Sequence, residues 1–162
     1  MRLPVLAFLA ASFLSAQSGD AWKRLDFLVG DWKGIASEKD TPLGAGQGDF
    51  SFHAELNRKI IVRRNNATYD AGAKHDDLMV IYVDVPDEAP RAIYFDSEGH
   101  VIRYRAAFPA EQRVVFESDA TQPGPRYRLT YWMEGDALNG RFEIAAPQNG
   151  YKIYLSWKSA HR

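Results

Sequence analysis

The chain contains no cysteine. That absence removes disulfides, thiolate metal sites, thiol nucleophiles and a lipidated N-terminal cysteine from consideration. A charge excess of one sign is missing too, since 20 Lys+Arg face 21 Asp+Glu for a formal net charge of −1. Nucleic-acid modules carry a clustered basic excess and disordered chains carry few apolar residues at high net charge, so neither class fits. Gly-x-Ser-x-Gly nucleophile elbows and glycine motifs that cradle phosphate are also lacking. Asp96 and Glu98 fall in one turn, which reads as a solvated pair, not as a spaced acid–base couple. What remains is a chain of 162 residues, 46% hydrophobic and 13% aromatic, enough for one domain with a sizeable core.

Residues 1–16 combine Arg2, an apolar run from Leu3 to Leu14, and Leu14-Ser15-Ala16 before Gln17. A positive start, a short apolar stretch and a small residue at the cut describe a secretory signal peptide. The run falls short of the roughly 20 residues of a permanent membrane helix. The expected mature protein is therefore residues 17–162, a single domain, periplasmic or secreted, with no membrane insertion once the leader is removed. Export without cysteine suits a bacterial envelope protein better than a small disulfide-stapled one.

Asp20 is placed to cap a short helix over Ala21–Val29, whose Trp22, Leu25, Leu28 and Val29 share one face. Gly30 ends it. Thereafter no helical period is sustained. Short runs recur every eight to twelve residues between turn signals: 31–36, 47–56, 59–67, 78–84, 91–96, 100–108, 113–118, 126–133, 137–145 and 151–158, with a loop over Tyr69–Asp76. About ten strands with short connections imply an antiparallel meander, and closing it into an up-and-down barrel removes the edges. The predicted fold is all-β: a roughly ten-stranded antiparallel barrel with a short N-terminal helix.

Alternation separates inside from outside. Ile102, Tyr104, Ala106 and Phe108 share one parity, as do Tyr127, Leu129, Tyr131 and Met133. Leu138, Phe142 and Ile144 follow, then Tyr151, Ile153, Leu155 and Trp157. Arg103, Arg105, Arg126, Arg128, Arg141 and Glu143 take the opposite, outward parity, where Glu117 and Glu143 can offset the arginines. The stretches 78–83 and 93–95 are apolar on both parities and carry no orientation. Small barrels either fill with side chains or hold one small ligand. An apolar lining with several tyrosines suits a mostly hydrophobic guest. The candidate ligand-binding residues are Tyr104, Tyr127 and Tyr131 for hydroxyl contacts, and Leu129, Met133 and Phe142 for apolar wall.

The opening Leu25-Asp26-Phe27-Leu28-Val29-Gly30-Asp31-Trp32-Lys33-Gly34 resembles the start of lipocalin-like (calycin) barrels, with Gly30 and Trp32 matching their Gly-x-Trp. Tyr94–Val101 and Arg126–Tyr131 are similar to motifs of an uncharacterised family of exported bacterial calycin-like proteins. The resemblance covers most of residues 22–162. It implies that Trp32 plugs one barrel end beneath a basic residue of the last strand, here Lys158 or Arg162. The chain also resembles ten-stranded, haem-binding nitrobindin-like calycins, which ligate iron through a histidine on the closing strand. The corresponding stretch Tyr151–Trp157 has none and His161 lies beyond it, so no cofactor is expected.

His53 sits on a polar parity, His75 precedes Asp76-Asp77 in a loop, and His100 flanks a hairpin. Contiguous side chains diverge, so no metal site and no catalytic residue is assigned. Gly44–Gly48 reads as a flexible loop or lid at the barrel mouth. Three functions follow. The first is a binder of a small, largely hydrophobic molecule. The second is an isomerase or hydrolase of a lipophilic substrate in the same cavity, which needs a tyrosine meeting an inward arginine or histidine. The third is a filled-core scaffold that binds a protein through loops 41–48, 69–76 and 119–125. No nucleic-acid partner is expected, and oligomeric state is not legible.

Overall fold

The computed structural model describes residues 21–37, 41–70, 72–84, 88–119, 124–147 and 149–162. The expected signal peptide and the Asp20 cap lie outside these residues. Ten strands follow a short helical segment: β1 (Gly30–Ala36), β2 (Gly46–Glu55), β3 (Ile60–Tyr69), β4 (Lys74–Val83), β5 (Pro90–Asp96), β6 (Val101–Ala110), β7 (Arg113–Ser118), β8 (Arg126–Glu134), β9 (Ala137–Ala145) and β10 (Lys152–His161). Each pairs antiparallel with its sequence neighbours, and β1 also pairs with β10, so the sheet closes on itself. Among the described residues, no strand is left with an unpaired edge.

Hairpins place the N-terminal segment and the chain's C-terminus at one end, the foot. The β1–β2, β3–β4 and β5–β6 connections lie at the other end, the mouth. At the foot, residues 21–25 are α-helical and run into a 3₁₀ turn over Asp26–Leu28. Leu25 and Leu28 are fully buried and stop the barrel from below. Trp32 is buried beside them, and its indole Nε1 donates to the Leu28 carbonyl at 2.9 Å. Its stacking partner is His161, at 3.7 Å between ring centroids. That corrects the expectation of Lys158 or Arg162: the antiparallel register sets Trp32 opposite His161, whereas Lys158 faces Ile35 and Arg162 reaches towards Asp49. Gly30 has φ +143°, and a Cβ there would lie 2.7 Å from the His161 ring. Both the backbone and the available space therefore demand glycine.

Above this plug the lower barrel is solid. Phe52, Ile61, Met79, Ile81, Ala92, Val114, Phe116 and Leu138 are buried in one cluster. Met79, Ile81, Ala92 and Tyr94 turn inward, which settles the two stretches that alternation left open. Their outward neighbours are apolar because Val62, Val80 and Ile93 lie side by side across β3, β4 and β5.

Two further expectations need correction. The stretch over Tyr69–Asp76 is half strand: β3 runs through Tyr69 and β4 starts at Lys74, and Tyr69 N–H donates to the Ala73 carbonyl. His75, Asp76 and Asp77 therefore alternate across a sheet. In β10 the register slips between Ile153 and Leu155. Such a bulge reverses side-chain parity, so Tyr151 and Ile153 point out while Leu155 and Trp157 point in. Ile153 is 56% exposed, and Tyr151 donates to Glu117 Oε1 at 2.7 Å on the outer surface.

The predicted outer face holds. Arg128 forms two 2.8 Å hydrogen bonds to the Glu143 carboxylate, through Nε and Nη2. Its guanidinium also lies 4.1 Å from the centroid of the Tyr151 ring. The Arg113 and Arg141 guanidinium groups lie 5.3 and 5.4 Å from the centroid of the Trp132 ring. Burial and the hydrogen bond to Glu117 push the Tyr151 hydroxyl up to about 12.

Candidate functional site

The upper half of the barrel is not filled. A cavity of about 350 Å³ opens at the mouth, within the range of small-molecule pockets. Its existence follows from side-chain size. Small residues, Gly34, Ala36, Gly46, Gly48 and Ala67, hold inward positions near the mouth on β1, β2 and β3, with the Tyr69 ring over Gly46, whereas bulky Phe52, Met79 and Phe116 sit deeper. Trp157 crosses the closing seam against the missing side chains of Gly34 and Gly140.

Five of the six predicted ligand-binding residues line this cavity: Tyr104, Tyr127, Leu129, Tyr131 and Phe142. Tyr127 stacks on Phe142 at 5.8 Å, and Tyr131 meets Phe52 and Trp157 edge to face at 5.3 and 5.7 Å. Met133 does not line it. Met133 lies at the foot end of β8, opposite Leu138, and packs against the filled core. Ile144, Leu155 and Trp157 complete the apolar wall.

Facing that wall is a polar group that the alternation analysis missed. Arg63 on β3 has the parity of Ile61 and Tyr69, and Asp77 on β4 has the parity of Met79 and Ile81, so both point inward. Their side chains are only 6% and 4% exposed, and Arg63 Nη1 donates to Asp77 Oδ1. Asn65 Nδ2 donates to the other carboxylate oxygen at 2.8 Å. His75 Nε2 shares a 2.9 Å hydrogen bond with the Tyr94 hydroxyl and lies 3.4 Å from Asp77 Oδ2. Its Nδ1 lies 3.6 Å from Glu98 at the mouth. His75 is thus a cavity residue and not part of a loop.

Asp96 is likewise no solvated turn residue, its side chain being 5% exposed. Burial alone would raise its carboxyl. Backbone and side-chain hydrogen bonds from His100, the His100 charge and the Glu98 N–H outweigh that effect and hold it below the ordinary carboxylate range. Burial drives the phenols of Tyr94, Tyr104 and Tyr131 well above their usual range, with the Arg63 charge opposing in each case. All three stay protonated and can donate. Among the described residues, three buried polar atoms here have no partner within hydrogen-bond geometry: Arg63 Nε, Tyr104 Oη and Tyr131 Oη, the last lying close enough to Arg63 for its side chain to lower the phenol. Among the described residues no three His, Asp or Glu side chains form a metal-binding group.

The sequence matches no protein-family model and no curated protein. Among solved structures, the fold is similar to the crystal structure of Rv2717c from M. tuberculosis, with a TM-score of 0.64 and 14% sequence identity over 88% of this chain and 97% of that one. At that identity the likeness establishes a shared closed-barrel fold.

Proposed function

We propose that the protein is an exported carrier or sensor of a small, largely hydrophobic molecule held in the upper barrel. The observation that carries this reading is the half-filled lumen. The chain invests bulky side chains in the foot, yet leaves about 350 Å³ open at the mouth behind an apolar and phenolic wall. A fold that needed only a core would gain from filling that space, since tight packing is the rule in protein interiors. The calycin resemblance and the signal-like N-terminus agree with a carrier that works outside the cytoplasm.

Native mass spectrometry of protein purified from the cell envelope tests this. The wild-type chain should retain an extra small-molecule mass, and Ala67→Trp, which places an indole in the cavity, should lose it. Identical bare spectra for both would sink the proposal.

A second reading, an isomerase or hydrolase of the same lipophilic class, is favoured by the His75–Tyr94 hydrogen bond at the cavity wall. It requires that the retained molecule change chemically on incubation with wild-type protein and remain unchanged with His75→Asn.

A further inference from the structure

Resting on the reading of the cavity as a ligand site, we propose that its polar pole receives a neutral carbonyl oxygen, so that the ligand class is a lipophilic ketone, ester or amide and not a fatty acid. Three observations carry the inference. The first is the inventory of free groups. Arg63 Nε, Tyr104 Oη and Tyr131 Oη are buried in or beside the cavity, and among the described residues none has a partner within hydrogen-bond geometry, although the Arg63 side chain lies close enough to Tyr131 to act on its phenol. Arg63 is 5% exposed, Tyr104 2% and Tyr131 0%. Buried donors without acceptors are disfavoured, and a ligand that accepts hydrogen bonds relieves them.

The second observation is charge. The Arg63 guanidinium is already matched by the Asp77 carboxylate, and Asp96 by His100. A ligand carboxylate would add an anion beside Asp77, where the neighbouring cation Arg63 is already paired; Lys74, the other lining side chain of fixed positive charge among the described residues, is exposed at the mouth. Uncompensated buried charge is costly, so a neutral acceptor is preferred. The third observation is direction. Each Asp77 oxygen already accepts a bond, one from Arg63 and one from Asn65. Arg63 Nε–H can only donate and each phenol has a hydrogen to donate, so a carbonyl oxygen, with two lone pairs and no hydrogen of its own, can accept from this group. Its apolar remainder would then lie along Leu129, Phe142, Leu155 and Trp157.

The test uses three probes of equal chain length, decan-2-one, decan-2-ol and decanoate, which compete with a neutral naphthylamine dye on the full mature chain. Decan-2-one should displace the dye at concentrations roughly tenfold lower than decanoate, about the effect of one hydrogen bond gained against one charge left unmatched. With a ¹³C label at its carbonyl, the bound ketone should show a stretching band at lower frequency than in hexane. Tyr131→Phe keeps the ring and its packing. The ketone should then lose several-fold in affinity and part of its frequency shift, with the melting temperature close to that of wild type.

If decanoate matches or exceeds the ketone, or the carbonyl band is unshifted while the dye still binds, the head-group assignment is wrong and the cavity reading survives. If neither the dye nor any probe binds, both are wrong.

Discussion

Gly140 sits on β9 opposite Trp157 on β10, and a Cβ added there would lie 2.1 Å from the indole Cζ2 and 2.2 Å from Cε2. Ordinary contact between carbons is about 3.5–4.0 Å, so Gly140→Ala forces the ring to retreat by more than an ångström. The backbone at Gly140 does not oppose alanine, because its φ is not in the left-handed region. Overpacking of this kind costs about 1–3 kcal/mol. Against that, replacing glycine in a strand recovers about 0.5–1 kcal/mol of chain entropy. The indole has empty lumen on its inner side, so it can yield without moving the sheet, which puts the clash at the lower end of its range. The net loss is about 0.5 kcal/mol, or about 1–2 °C in melting temperature for a domain of this size. Binding tells more than stability here. The displaced ring enters the cavity, so dye affinity should fall several-fold, and Gly140→Ala/Trp157→Phe should restore it by supplying a smaller ring. A Gly140→Ala protein that melts higher than wild type and binds the dye equally well would refute the placement of Trp157 against the closing seam.

The buried ion pair gives a second expectation. Arg63→Met strands the Asp77 carboxylate and should cost about 3–5 kcal/mol in chemical denaturation, whereas Arg63→Met/Asp77→Leu should recover most of that loss; equal instability of the two variants would contradict it. Stability against pH gives a third. Asp96, through its His100 hydrogen bonds, and Glu143, through its Arg128 hydrogen bonds, are both held below the ordinary carboxylate range. The unfolded chain therefore binds more protons than the native one as pH drops. The stabilisation they contribute is complete above about pH 4–5, the unfolded carboxylate range, and is lost as pH falls through their lower native values. Asp96→Asn/Glu143→Gln should flatten the acid limb of melting temperature against pH, and a limb as steep as wild type would assign acid unfolding to other groups. The export reading predicts that the envelope protein begins at Gln17 on N-terminal sequencing; recovery of an intact Met1 would exclude cleavage.

The period-two alternation made the barrel legible because a sheet with one dry face must repeat that way, and ten such runs with short joins admit few arrangements. The plug was legible as far as Gly30 and Trp32. Its stacking partner was not, because that choice belongs to the β1–β10 register, which pairs the two ends of the chain. Parity was misread at Tyr151 and Ile153 for a similar reason. A bulge is one residue of local geometry, here at Tyr154, and nothing in the run Tyr151-Lys152-Ile153-Tyr154-Leu155 marks it in the sequence.

The polar pole is the more instructive miss. Arg63 stands on the parity of Ile61 and Tyr69, so it was visible as a charge on the dry face. A lone buried guanidinium, however, has no physical warrant until its counter-ion is found, and that counter-ion depended on one turn. With Tyr69–Asp76 read as a loop, Asp77 has no strand to orient it. Shortening the turn to 70–73 extends the pairing until Asn65 faces Asp77 and Arg63 faces Met79, one inward position away. The cavity itself was encoded as a gradient of inward side-chain size, from Gly34, Gly48 and Ala67 at the mouth to Phe52, Met79 and Phe116 at the foot. Composition averages over that gradient and alternation ignores it. Only the register stacks the small residues at one level, and it is the same register that brings Arg63, Asp77 and the three phenols to the floor of the space those small residues leave open.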